Sequence, residues 1–290
     1  MRVNPEGQGG EGKSAATRWE LSRRTLLLDR PLVMGILNVT PDSFSDGNRF
    51  FSCESAVARA LELEREGADI IDIGGESTRP NAPAVSLAEE LERVVPVIEA
   101  LAGKLSVPIS VDTYKAGVAR AACAAGAEIV NDVSGLFFDE GMAAAVAQAD
   151  AGLVVMHTRG TPDRMQADTR YHDLMAEVKS YLLDSLAKAE AAGIKASRIA
   201  IDPGIGFGKS VEGNLELIRR LPELLALGLP ILVGPSRKSF IGAVTGRVPD
   251  ERIFGTAAVV AVSVVNGASI LRVHDVAAMR DVAVMARALA

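Results

Sequence analysis

An eightfold alternation of strand-length apolar runs with longer segments of helical period constrains this chain more than any other feature. The runs are Leu32–Leu37, Asp69–Ile73, Val107–Val111, Glu128–Val130, Gly152–Met156, Arg198–Ile201, Pro230–Val233 and Ser269–Val273. Between them, Leu91, Val94, Val95, Ile98 and Leu101 recur on one helical face, as do Leu174, Val178, Tyr181, Leu182 and Leu186. Gly67, Gly126, Gly152 and Gly193 fall where helices are expected to stop before the next strand. A strict strand–helix repeat demands parallel strands, because each helix carries the chain back to the end where the next strand starts. Eight such units can close on themselves, so the pattern predicts an α/β fold with a single (β/α)8 barrel. The alternative is an open doubly wound sheet, which has no need of eight strands. Trp19 to Asp29 alternates in part and is expected to form a short hairpin on the barrel floor.

Composition agrees. The chain has 290 residues, 48% of them apolar but only 4% aromatic, so the core must be built from Val, Ile, Leu and Ala. Such aliphatic cores suit parallel strands buried under helices. The expected organisation is a flexible leader over residues 1–18 and one barrel domain over 19–290. Within the leader, Gly7 to Ser14 satisfies a P-loop pattern, yet no buried strand delivers it and no long amphipathic helix receives it, so that reading fails. A net charge of −6 without basic runs argues against nucleic-acid binding, and any anionic ligand must be met by a local concentration of cations. Cys53 and Cys123 lie far apart in expected helices and are read as free thiols. With neither a signal-peptide pattern nor an apolar run of membrane-spanning length, the expected location is the cytoplasm and no membrane partner is expected.

Barrel enzymes gather their chemistry at the C-terminal ends of the strands. Here every run ends in polar residues. The first leads to Asn38, the second to Thr78, Arg79 and Pro80, and the third to Asp112. The fourth ends in Asn131, the fifth in His157, and the sixth in Asp202 followed by a Gly-rich turn that includes Phe207. The seventh gives Lys238 and Ser239, and the eighth Arg272 and His274. Helix capping accounts for Asp, Asn and Ser at such places one at a time, and is preferred for Asp139 and Ser197. It does not account for the set. Asp112, Asn131 and Asp202 suit the edge of a flat heterocycle carrying N–H donors and carbonyl acceptors, and Lys238 can donate to a ring carbonyl or nitrogen. Arg79, Arg272 and His274 suit phosphate oxygens, and Asn38 offers an oxygen to Mg²⁺. Gly204, Gly206 and Gly208 lack dinucleotide-fingerprint spacing.

The motifs in order resemble the dihydropteroate synthase family. Met34 to Gly47 resembles its opening signature, Gly75 to Pro80 its second loop, and Asn131 to Gly135, Asp202 to Lys209, Ser236 to Ser239 and Arg272 to Asp275 its later ones. The resemblance implies condensation of 6-hydroxymethyl-7,8-dihydropterin diphosphate with p-aminobenzoate, giving 7,8-dihydropteroate and diphosphate in folate synthesis. It assigns the pterin to Asp112, Asn131, Asp202 and Lys238. It assigns the diphosphate and Mg²⁺ to Asn38, Thr78, Arg79, Arg272 and His274, with Asn38 the metal ligand. Thr78, Pro80, Phe207 and Ser239 would shape the p-aminobenzoate pocket. Asp112, Lys238 and Arg272 would carry the catalysis, and a homodimer is implied. Asn48-Arg49 and Asn81 depart from the glycines usual in the family, both in substrate loops. Two rivals share the pterin contacts: a methyltransferase barrel, which needs no diphosphate cations, and a catalytically silent pterin binder.

Overall fold

The computed structural model of the chain describes residues 16–40, 49–77 and 84–290. The leader, with its P-loop pattern, lies outside them up to residue 15, as do Asn48, Thr78, Arg79, Pro80 and Asn81.

A two-stranded antiparallel hairpin comes first, β1 (Arg18–Glu20) and β2 (Thr25–Leu27). Eight parallel strands follow: β3 (Leu32–Asn38), β4 (Ile70–Gly74), β5 (Ile109–Asp112), β6 (Ile129–Asp132), β7 (Gly152–Met156), β8 (Ile199–Asp202), β9 (Leu232–Val233) and β10 (Ile270–Val273). Their order is β8-β7-β6-β5-β4-β3-β10-β9. A parallel bridge between Ile201 and Ile231, with the Ile201 amide donating to Pro230 O at 2.9 Å, joins the two ends of that order. The sheet is therefore wrapped into the expected barrel.

Helices α1 (Arg49–Arg65), α2 (Leu87–Leu101), α3 (Ala116–Ala125), α4 (Met142–Gln148), α5 (Leu174–Ala191) and α6 (Val211–Arg219) alternate with the strands. Two helices, α7 (Ser239–Thr245) and α8 (Ile253–Val265), occupy the connection from β9 to β10, and α9 (Val276–Leu289) closes the chain. Capping is local and legible. Ser86, Asp173 and Ser210 each accept a backbone N–H in the first turn of α2, α5 and α6. Asp139 accepts from the Ala116 amide at 2.8 Å and so caps α3 from a distance. Ser197 is not a cap: its hydroxyl donates to Glu20 Oε2 at 2.8 Å and ties the hairpin to the barrel.

Successive strand residues face opposite sides, and this divides the core into two parts. Val33, Ile71, Val111, Val130, Val155, Ile201, Val233 and Leu271 face outward and pack under the helices, where α2 buries Val94, Val97, Ile98 and Leu101. Leu32, Met34, Ile70, Ile129, Val154, Ala200, Leu232 and Ile270 face inward and form the floor of the lumen. Trp19 and Leu21 of the hairpin join that floor, and the Trp19 indole donates to Arg198 O at 2.8 Å. Gly152 opens β7 rather than ending a helix, and a Cβ there would stand 2.5 Å from Leu21 Cδ2. The glycine is required by the close approach of the hairpin.

Candidate active site

Two residues beyond the floor, on the same inward faces, the strands carry polar side chains. Ile70 is followed by Asp72, Ile129 by Asn131, Ala200 by Asp202 and Ile270 by Arg272, while β5 contributes Asp112 above Ser110. The twofold strand period thus lifts them as one layer into the barrel mouth.

Arg272 reaches across the lumen. Its Nε donates to Asp72 Oδ2 at 2.6 Å and its Nη2 to Asp112 Oδ2 at 2.5 Å. Asn131 Nδ2 donates to the same Asp72 oxygen at 3.1 Å. The second oxygens of both acids, Asp72 Oδ1 and Asp112 Oδ1, are buried without a hydrogen-bond partner among the described residues. Asp202 accepts from the Gly204 amide at 2.6 Å. Lys238 donates to Ile205 O and its ammonium stands 4.5 Å from the centre of the Phe207 ring. Val133, Met156, Met165 and Phe207, with Tyr114 against them, form an apolar wall beside the polar layer.

Burial governs the electrostatics here. It pushes the Asp112 carboxyl up to about 7; Arg272 opposes the rise, and Asp72, Glu90 and Asp132 add to it. Asp202 is also raised by burial, against the pull of Lys238. Burial lowers Lys238 to about 8, with Asp202 opposing and Arg272 reinforcing. For Arg272 burial disfavours the charge, but Asp72 and Asp112 outweigh it and hold the guanidinium ionised.

The sequence-predicted pterin residues Asp112, Asn131, Asp202 and Lys238 therefore surround one space with Arg272. His274 lies at the rim: its amide donates to Ser236 Oγ at 3.2 Å, and its Nδ1 is 2.9 Å from the same atom. Asn38 ends β3 at the same mouth. A Cβ on Gly74 would lie 3.9 Å from Asn38 Oδ1 and 3.7 Å from Asp112 Oδ2, so both oxygens border one small space. Ser239 is exposed at the start of α7. Ser77 is the last described residue before residues 78–83, and the buried Glu76 just before it is gripped by Tyr114 Oη at 2.7 Å and by Lys115. Arg237 turns away from the lumen to a bidentate pair with Asp275 at 2.6 and 3.0 Å.

Asp72 lies inside an apolar run rather than after it, so polar residues following the runs do not point to it. The strand period carries the missing signal: Asp72 follows Ile70 by the same two-residue step that relates Asn131 to Ile129.

A model of the family described as pterin binding enzyme matches residues 34–274. The dihydropteroate synthase of Synechocystis sp. is 50% identical over 261 residues, covering 90% of each chain. The chain belongs to the dihydropteroate synthase family. A solved dihydropteroate synthase from Xanthomonas albilineans with 4-aminobenzoic acid superposes at a TM-score of 0.89 with 48% identity, over 95% of this chain and 98% of that one. Another structure of the Xanthomonas albilineans dihydropteroate synthase, in complex with 7,8-dihydropteroate, matches at a TM-score of 0.85 with 47% identity, over 94% and 98% of the two chains. Both the dihydropteroate synthase resemblance and the barrel expected from the repeat are thereby upheld.

Proposed function

We propose that this chain condenses 6-hydroxymethyl-7,8-dihydropterin diphosphate with p-aminobenzoate to give 7,8-dihydropteroate and diphosphate. The observation that carries the reading is the lumen layer of Asp112, Asn131, Asp202, Lys238 and Arg272 beside the Val133–Met156–Phe207 wall. A flat ring needs an apolar face and a hydrogen-bonding edge, and this layer supplies both. Asp112 Oδ1, buried and without a protein partner among the described residues, accepts a ring N–H. Asp202 and Asn131 complete the edge, and Lys238 donates to the ring carbonyl or nitrogen. The related Xanthomonas albilineans structures, one with 4-aminobenzoic acid and one with 7,8-dihydropteroate, support this substrate and product chemistry.

The reaction is a dissociative displacement at the exocyclic methylene of the pterin. Arg272 and His274, with Arg79 and Thr78 of the second loop, offset charge on the departing diphosphate. Asp112 stabilises the positive charge left on the pterin. Phe207, Ser239, Thr78 and Pro80 orient the arylamine for attack. Among the described residues no cluster of three His, Cys, Asp or Glu side chains forms a protein metal cage. A single amide oxygen such as Asn38 Oδ1 suits Mg²⁺ that arrives with a diphosphate and keeps other oxygen ligands. Bound there, the ion would neutralise the leaving group.

The test is diphosphate release measured with and without p-aminobenzoate. Arylamine-dependent release with 7,8-dihydropteroate as the product is expected; release that ignores the arylamine, or none, counts against the reading. The pH profile gives a second check. Asp112 carries its negative charge only above its raised value of about 7, and Lys238 is an ammonium only below its lowered value of about 8. The kcat/KM for the pterin diphosphate is therefore expected to be bell-shaped with limbs near those values. A flat profile from pH 5 to 9 would remove these two groups from the binding step.

We further infer a homodimer. Helix α8 carries no charged residue, and Phe254, Val262 and Val265 on it are exposed together with Val284, Met285 and Leu289 of α9. Phe254 is 85% exposed, which is unfavourable in a monomer and expected of an interface. Light scattering should give twice the chain mass for the wild type and a monomer for Phe254→Glu. A monomeric wild type would refute the interface. No helix among the described residues is long and apolar enough to cross a membrane.

A further inference from the structure

The Gly-rich turn after β8 lies between two lysines. Lys238 bears on one side, donating to Ile205 O and standing over Phe207; a Cβ on Gly206 would meet Lys238 Cδ at 2.7 Å. Lys209 bears on the other. Only 4% exposed, its Nζ stands 2.8 Å from Phe207 O, 2.8 Å from His157 Nδ1 and 3.5 Å from His157 O. His157 directly follows the neighbouring strand β7, and its amide donates to Asp202 O at 3.0 Å. A Cβ on Gly204 would stand 1.9 Å from His157 O, so the turn and the end of β7 are in contact.

We propose that Lys209 is a positioning residue which, by clamping the Phe207 carbonyl to His157, fixes the turn against which Lys238 is set toward the pterin. This inference rests on the reading of the lumen as the pterin site. The Lys209 amino group has three acceptors within reach, and every one of them belongs to the turn or to His157. Burial, reinforced by Lys209, lowers His157 to about 2, so its ring stays neutral, and in the tautomer protonated at Nε2 its Nδ1 accepts from Lys209. Burial also lowers Lys209, while Asp202 favours its charge and Lys238 opposes it. From outside, Gln166 donates to Gly206 O at 2.7 Å and Tyr171 to Gly208 O at 2.9 Å; inside, Asp202 and Asn214 accept from the Gly204 and Gly206 amides, each at 2.6 Å, and Lys209 adds the tie to His157. A displacement of the turn moves Ile205 O and the Phe207 ring, and Lys238 moves with them. Misplacements of this kind far from the reacting atoms are costly to binding and turnover.

The test uses the full chain and calorimetric titration with 6-hydroxymethylpterin, at a temperature where circular dichroism shows each variant folded. Lys209→Met keeps the length and removes the donors; it is expected to weaken pterin binding by about tenfold or more and to lower kcat at saturating substrate. His157→Asn keeps an acceptor near the Nδ1 position and is expected to stay within about threefold of wild type, whereas His157→Leu behaves like Lys209→Met. If Lys209→Met does not fold, the two His157 variants decide. Folded Lys209→Met with wild-type affinity and kcat, or His157→Asn and His157→Leu that do not differ, overturns the clamp. Wild type that fails to bind the pterin overturns the reading of the site as well, so the two failures are distinct.

Discussion

Asp112→Asn is expected to make the protein more stable at pH 8 and to reduce turnover by about two to three orders of magnitude. The two effects share one cause. Burial holds the Asp112 carboxyl at about 7 in the folded chain, whereas in the unfolded chain it titrates near 4. Between those values the folded state binds a proton that the unfolded state has released. Stability therefore falls as pH rises from about 4 to about 7 and the whole cost is present at pH 8, on the order of 2–4 kcal/mol. An asparagine keeps the acceptor for Arg272 and places its amino group on the side of Oδ1, which has no partner among the described residues. It removes the negative charge that stabilises the pterin cation. Thermal midpoints at pH 5 and 8 check the first part, with the gain expected mainly at pH 8. Single-turnover rates check the second. A variant less stable than wild type at pH 8 would show that Asp112 serves the fold.

Arg272→Ala is expected to damage both fold and binding. Its guanidinium is the shared partner of Asp72 and Asp112, whose side chains are 0% and 6% exposed. Removing the cation leaves two carboxylates in a buried space, and breaking a buried pair in this way costs about 3–5 kcal/mol. At about 2–4 °C per kcal/mol the midpoint falls by roughly 10 °C. Without the cation, the folded-state carboxyl is raised further above its unfolded value, so the loss is smallest at low pH and largest above pH 7. The motifs alone suggest that this variant would lose the diphosphate-bearing substrate more than the free pterin. The ion pairs extend the expectation, because Asp112 and Asn131 are oriented through the same Arg272–Asp72 contact, so free pterin is expected to be lost too. Urea denaturation at pH 5.5 and 8, with titration of both ligands, measures these effects. Unchanged stability at both pH values would mean that the pair is dispensable.

Much of this was legible in the chain. The barrel was readable because eight buried strands impose apolar runs, and the helices between them need one apolar face. Asp112, Asn131 and Asp202 were readable because each directly follows such a run, and Arg272 because its cation stands out one residue before the last run ends. Asp72 was not, since an acid inside an apolar run contradicts the pattern by which runs are found. Its partners come from elsewhere in the chain: Arg272, 200 residues away in sequence, crosses the lumen to meet it, and Asn131 donates to the same oxygen. Lys209 and His157 were visible as residues, but their pairing depends on how the turn after β8 packs against the end of β7. The role of Gly152 was also hidden, because the Leu21 side chain that excludes a Cβ comes from the hairpin below the barrel.

The most direct measurement is a crystal structure of the protein with 6-hydroxymethylpterin bound. The account predicts the ring in the lumen against Met156 and Phe207, with its edge within hydrogen-bond distance of Asp112, Asn131, Asp202 and Lys238. A pterin bound elsewhere, with Asp112 and Asp202 facing only protein groups, would contradict it.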